Sequence, residues 1–70
     1  MKSVEGSLLD RRVEWQAEAR TLGRRFVEEG KAHDLVAMIQ DVRLARIARR
    51  AGISGVAMAL FIEDSIKEQG

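Results

Sequence analysis

The chain contains no cysteine, no proline and no tyrosine, and only one histidine among its 70 residues. The absence of cysteine excludes disulfides, thiolate zinc sites and cysteine nucleophiles, and a single histidine excludes a multi-histidine metal centre. The sequence also shows no nucleophile–base pair, no phosphate-cradling glycine loop and no metal-ligand spacing. We therefore expect no cofactor, no bound metal and no enzymatic activity.

Long apolar runs are absent as well. The longest, Val56 to Ile62, has seven residues, whereas a membrane-spanning helix needs about 20. Met1 and Lys2 are followed by Ser3, Val4 and Glu5 rather than by the apolar stretch of a signal peptide. These features predict a cytoplasmic protein without a membrane segment.

Apolar and charged residues are abundant, at 46% and 33% of the chain. Ala, Leu, Arg and Glu dominate and no long alternating β-pattern occurs, which predicts an all-α fold of three to four helices in one domain spanning residues 1–70. Because a chain this short buries only about 60% of its unfolded surface, its core supplies few kcal/mol. We therefore expect a homodimer, of the intertwined kind.

The charge is divided unevenly along the chain, although the net charge is only +1. Residues 31–53 carry five basic and two acidic side chains, and residues 54–70 carry one basic and three acidic side chains. The whole chain is therefore not an electrostatic nucleic-acid binder, but its middle third is basic.

A long first helix is predicted over residues 7–29. Ser7 or Asp10 is the expected N-cap, and Gly30 the expected left-handed stop. The apolar residues of this helix lie on one side, which predicts that this side packs in the core or forms the seam of a dimer. They are Leu8, Trp15, Ala19, Leu22 and Phe26.

The following segment, residues 33–51, changes its apolar face partway. Leu35, Met38, Ile39 and Val42 share one arc, and the later apolar residues occupy nearly the opposite arc. Either the helix breaks near Asp41, which is a suitable N-cap, or one continuous helix lies between two neighbours; we favour the break. His33, beside Asp34, is interpreted as a helix start rather than an acid–base group. A turn at residues 51–53 and a last helix at 54–67 complete the prediction.

The segment LARIARRAGIS, residues 44–54, resembles the helix-turn-helix of bacterial repressors. Ala48 stands where two helices touch, Gly52 in the turn, Ile53 beneath it, and Ser54 as the cap of the second helix. Together with EGKAHDLVAMIQDV, residues 29–42, it looks like a shortened addiction-module antidote protein. The resemblance covers about half of the chain and implies DNA binding through Arg49, Arg50, Ser54, Gly55 and Ala57.

The side chains depart from that pattern in the second helix of the motif, which would be the DNA recognition helix. Its outward positions are Gly55, Val56, Ala57, Ala59, Leu60 and Glu63. Only Glu63 could hydrogen-bond to a base edge, and a carboxylate repels the phosphate backbone. Val56 and Leu60 instead form a second apolar strip, opposite Met58, Ile62 and Ile66, which has to be covered by another subunit or protein.

The preferred hypothesis is a small regulatory protein that binds and occludes another protein, such as a transcription regulator, a toxin or a motor ATPase, and that is encoded by a phage or mobile element. The predicted anchors are Val56, Leu60 and Phe61, with Arg43, Arg46 and Arg50 as the charged rim. A plain solvated face is the alternative for those arginines. The alternative functions are a DNA-binding repressor or antitoxin, and a structural assembly subunit.

Overall fold

The computed structural model describes residues 4–69 and, from residue 14 onward, their side chains. It contains four helices: α1 (Val4–Glu28), α2 (Leu35–Ile39), α3 (Val42–Ala51) and α4 (Gly55–Gln69). Within this range there is no strand, so the all-α prediction is confirmed. The predicted start of α1 at Ser7 or Asp10 is wrong, because the helix already includes both residues. Capping residue types are tolerated inside helices and do not by themselves mark a start.

Two glycines end helices as the sequence predicts. Gly30 follows α1 with φ of 76°, and Gly52 follows α3 with φ of 72°. At each end, the amide one residue further on reaches back to the last turn: Lys31 N–H donates to the Phe26 carbonyl at 2.8 Å, and Ile53 N–H to the Ala48 carbonyl at 3.1 Å. These bonds satisfy carbonyls that a helix end leaves free.

The segment from residue 33 to 51 is divided at Gln40 and Asp41 into α2 and α3. The Asp41 carboxylate accepts a hydrogen bond from the Arg43 N–H at 2.8 Å and so caps α3. Asp34 caps α2 in the same way, accepting from the Ala37 N–H at 3.1 Å. The division lets the two apolar arcs of this segment point in different directions.

Helix α4 is the centre of the fold, since it packs against α1, α2 and α3. It runs in the same direction as α1, because Trp15 contacts Phe61 near the middle of both helices and Arg24 reaches Gln69 towards the carboxyl-terminal end of both. The buried apolar core consists of Ala19, Leu22, Phe26, Met38, Leu44, Ile47, Ala48, Met58, Ala59, Ile62 and Ile66.

The predicted seam of α1 belongs to this core. Phe26 is fully buried and Leu22 nearly so within one copy of the chain, and Trp15 packs half-buried against the same cluster. Phe26 and Leu22 therefore lie in the core of one copy and Trp15 packs against it, which is one of the two placements that the sequence predicts. Leu8 lies outside the described side chains.

Candidate protein-interaction surface

The outward side of α4 carries apolar side chains that the fold leaves uncovered. We call Val56, Ala57 and Leu60 the α4 outer face. Val56 is 56% exposed and Leu60 49% exposed, whereas Met58 and Ile62 on the opposite side are fully buried. The helix begins where the Ser54 hydroxyl accepts the Ala57 N–H at 3.1 Å. The second apolar strip that the sequence predicts is thus present.

Phe61, the third predicted anchor, lies one turn after Ala57 at the edge of this surface and is partly buried. Its ring stands edge-on to that of Trp15, with the centroids 5.1 Å apart and the planes at 61°. Such edge-to-face pairs stabilise aromatic packing beyond the area that they bury. Phe61 is thus partly buried and joins α4 to α1 within one chain, and its role as a partner anchor stays a prediction.

Arg43 is held by two carboxylates of its own chain. Its guanidinium donates to both carboxylate oxygens of Glu29, at 2.9 and 2.6 Å, and to both of Asp41, at 3.0 and 2.8 Å. It also lies 5.5 Å from the centre of the Phe26 ring. Lys31 adds a further hydrogen bond to Asp41 at 3.0 Å. Arg43 is thus a structural residue and not the free rim charge that the sequence predicts.

The ionisable groups of this cluster shift one another's pKa values. Hydrogen bonds from Arg43 hold the pKa of Asp41 far below its usual range. They also lower the pKa of the exposed Glu29 carboxyl, and the two carboxylates raise the pKa of Arg43. Because each shift favours the charged form, the cluster stays ionised wherever the protein is folded near neutral pH.

Arg50 also forms an ion pair within the chain, whereas Arg46 and Arg49 form none among residues 14–69. The two terminal nitrogens of Arg50 meet the two carboxylate oxygens of Glu18, at 2.9 and 2.7 Å. Arg46 and Arg49 are exposed, and among residues 14–69 neither takes part in an ion pair. Of the predicted rim, only Arg46 is therefore free to contact a partner, and Arg49 joins it.

The residues predicted for DNA contact offer few polar groups. The Ser54 hydroxyl is engaged in capping α4, Gly55 is half-buried close to Leu44, and Ala57 presents only a methyl group. Ile53 is 37% exposed rather than a plug beneath the turn. Of this set, Arg49 is the residue best placed to reach a phosphate.

Sequence reasoning missed a contact between His33 and Glu63. Glu63 was assigned to the outward side of α4, but it is 8% exposed. One carboxylate oxygen accepts the His33 backbone N–H at 3.1 Å, and the other lies 2.8 Å from His33 Nδ1. His33 has φ of 67°, unusual for a residue other than glycine. The available signal is the spacing of Glu63, which lies four residues after Ala59 and three before Ile66 and so on the same side of α4. Ala59, also assigned outward, is fully buried.

A groove of about 690 Å³ runs between the carboxyl-terminal ends of α1 and α4, lined by Gly23, Arg24, Val27, Glu28, Ala32, His33, Ile66, Lys67 and Gln69. Its charged side chains are of both signs, and no nucleophile converges on it. Across the described residues, no cluster of three metal-ligating side chains occurs. None of the helices there combines the length and the apolar character needed to cross a membrane.

Comparison of the chain with protein-family models, with curated proteins and with solved structures gives no match. The resemblance to helix-turn-helix antidote proteins thus stays a prediction that rests on residues 29–54 alone.

Proposed function

We propose that the chain is a small regulatory protein that binds another protein through the α4 outer face and blocks that partner's own contacts. The observation that carries the proposal is the exposure of Val56 and Leu60 on a helix whose other side forms the core. Apolar side chains at such positions lose contact with water only when another molecule covers them. No catalytic step and no cofactor belong to this proposal.

The energetics favour a protein as the bound molecule. Complete burial of a Val or Leu side chain stabilises by about 1.5–3 kcal/mol, so the half-exposed pair could contribute a few kcal/mol to a complex. Arg46 and Arg49, exposed on α3 and outside every intramolecular ion pair of residues 14–69, can meet carboxylates at the edge of the contact. An apolar centre with a charged rim is the usual arrangement of protein interfaces.

The test is capture of partners by the tagged protein from a bacterial lysate, with and without nuclease, comparing wild type, Leu60→Asp and Val27→Asp. Val27 is 53% exposed on α1 and lies outside the α4 outer face, so it is the matched control. We expect one stoichiometric protein that survives nuclease, that Val27→Asp retains and that Leu60→Asp loses while its helical circular dichroism is unchanged. Loss of folding in Leu60→Asp would place Leu60 in the core and contradict the proposal.

A DNA-binding repressor or antitoxin is the second candidate, because α3 joins α4 through Gly52 in a left-handed conformation and a Ser54 cap, with Arg46 and Arg49 exposed on α3. If both arginines contact phosphates, their replacement by Ala lowers the slope of log binding constant against log salt by about two. No DNA binding at about 50 mM salt, where phosphate contacts are strong, would eliminate this candidate.

A further inference from the structure

The five-residue helix α2 presents an apolar surface that the proposed function does not use. Leu35, Val36 and Ile39, which we call the α2 face, are 36%, 65% and 37% exposed. At 3.6 residues per turn they lie on one side of the helix. The sequence places Leu35, Met38, Ile39 and Val42 on one arc, and of these four only Met38 enters the core.

The α2 face is free of charge. Helix α2 contains no acidic or basic residue. Asp34, which caps its start, and Asp41, whose side chain is 6% exposed, flank it, and Val42 is 62% exposed at the start of α3. In a contact between identical chains related by a two-fold axis, residues near the axis approach their own copies, so any charge there meets a like charge. The α2 face meets this requirement, whereas the outer side of α3 bears Arg46 and Arg49 and would repel itself.

We propose that two copies of the chain associate through their α2 faces in a two-fold symmetric dimer. This contact differs from the dimer predicted along α1, whose described stripe residues, Trp15, Ala19, Leu22 and Phe26, pack in or against the core of a single copy. The α2 face shares no residue with the α4 outer face, so the two proposed contacts use different residues of the chain. The inference does not depend on what the α4 outer face binds.

The size of the α2 face sets the expected affinity of the dimer. A standard stable interface buries about 800 Å² on each partner, and a helix of five residues with its flanks presents less than that. We therefore expect a reversible dimer with a dissociation constant in the micromolar range, about 10 to 100 µM. The low affinity implies that monomer and dimer exchange as the concentration changes.

The proposal is tested by sedimentation equilibrium over about 5 to 500 µM, a range that brackets the expected dissociation constant. The wild-type mass should rise from the 7.8 kDa of one chain towards twice that value. Val36→Asp should weaken association at least about tenfold, and Val56→Asp, at a similarly exposed position on α4, should leave it unchanged. A monomeric wild type throughout, or loss of association in Val56→Asp alone, would overturn the proposal.

A second measurement uses the absence of cysteine from the chain. Val36→Cys introduces a single thiol close to the proposed two-fold axis, and Val56→Cys introduces one away from it. Under mild oxidation we expect a covalent dimer from Val36→Cys at a rate well above that of Val56→Cys. Equal rates would contradict the α2 contact, and because Cys resembles Val in size, this result does not depend on tolerance of a charge.

Discussion

Asp41 combines two roles that are often held by different residues. One carboxylate oxygen caps α3 by accepting the Arg43 N–H, and the carboxylate also binds the Arg43 guanidinium and Lys31. Its side chain is only 6% exposed, so these bonds replace its contacts with water. The start of α3 and the end of α1, where Glu29 holds the same arginine, are thereby fixed to each other.

The pH dependence of this site follows from the lowered pKa of Asp41. The unfolded chain binds a proton at Asp41 near pH 4, whereas the folded chain does so only at lower pH. The stabilisation that the ionised Asp41 carboxylate gives the folded chain is therefore complete above about pH 4 and is lost as the pH falls through the folded-state pKa of Asp41. We expect Asp41→Asn, which retains a capping acceptor, to lower the free energy of unfolding at pH 7 and to flatten its decline below about pH 4.

Urea denaturation at pH 7 and at about pH 3 measures both effects. The control is Asp34→Asn, because Asp34 caps α2 and has no arginine among its hydrogen-bond partners. An acid decline in Asp41→Asn as steep as in wild type would contradict the assignment.

Residues that act locally could be predicted, and those that act across the fold could not. Gly30, Gly52, Asp41 and Ser54 fix the backbone of their own turns, so their residue type reveals their role. The roles of Arg43 and Arg50 depend on Glu29 and Glu18, which lie 14 and 32 positions away along the chain. Those partners are set by how α3 lies along α1, which one sequence does not specify.

At the scale of the helices, two nearby glycines differ in whether a side chain can replace them without backbone strain. Gly52 ends α3 with φ of 72°, where a side chain costs about 1–2 kcal/mol. Gly55 begins α4, and a Cβ there would meet only Leu44, at an ordinary contact distance of 3.9 Å. We expect Gly52→Ala to destabilise by about 1 kcal/mol or more, and Gly55→Ala to be neutral or stabilising by up to about 1 kcal/mol. Thermal unfolding of both variants tests this, and equal effects would contradict the difference in backbone conformation.

The ends of elements were predictable to different degrees. The left-handed glycine fixed the end of α1, and the change of apolar phase located the division between α2 and α3. The predicted start of α1 is too late, because Ser7 and Asp10 are capping residue types that lie within the helix. The shared arc of Leu35, Met38, Ile39 and Val42 does not reveal that only Met38 is buried, because apolar periodicity identifies which residues share a face but not whether another element covers it.

At the scale of the whole molecule, Trp15 and Phe61 connect the first helix to the last. Tryptophan fluorescence therefore reports the docking of α1 on α4, and circular dichroism reports helix content. If the four helices unfold as one unit, the two signals should give the same midpoint in urea. Phe61→Ala should lower the free energy of unfolding by about 1–3 kcal/mol, less than for a fully buried Phe. Loss of the fluorescence change well before the loss of helix would show that α1 detaches independently.

The surfaces of the whole molecule were the least predictable part. An exposed strip on α4 follows from its apolar residues on both sides, but the partial burial of Phe61 against Trp15 does not. On a helix apolar nearly all round, the position of the neighbouring helix decides which residues are covered. That position depends on the sum of many contacts, including the burial of Glu63 beneath His33.

The connections between helices are short, and hydrogen bonds hold each of them. Only residues 29–34, 40–41 and 52–54 lie outside the helices between Val4 and Gln69, and they are held by Gly30, His33, Asp41 and Ser54. A protease must bind several consecutive residues in an extended form, which none of these turns offers without opening. Cleavage between the helices therefore has to follow the rate and extent of unfolding, so the lifetime of this part of the chain in a cell is governed by its stability.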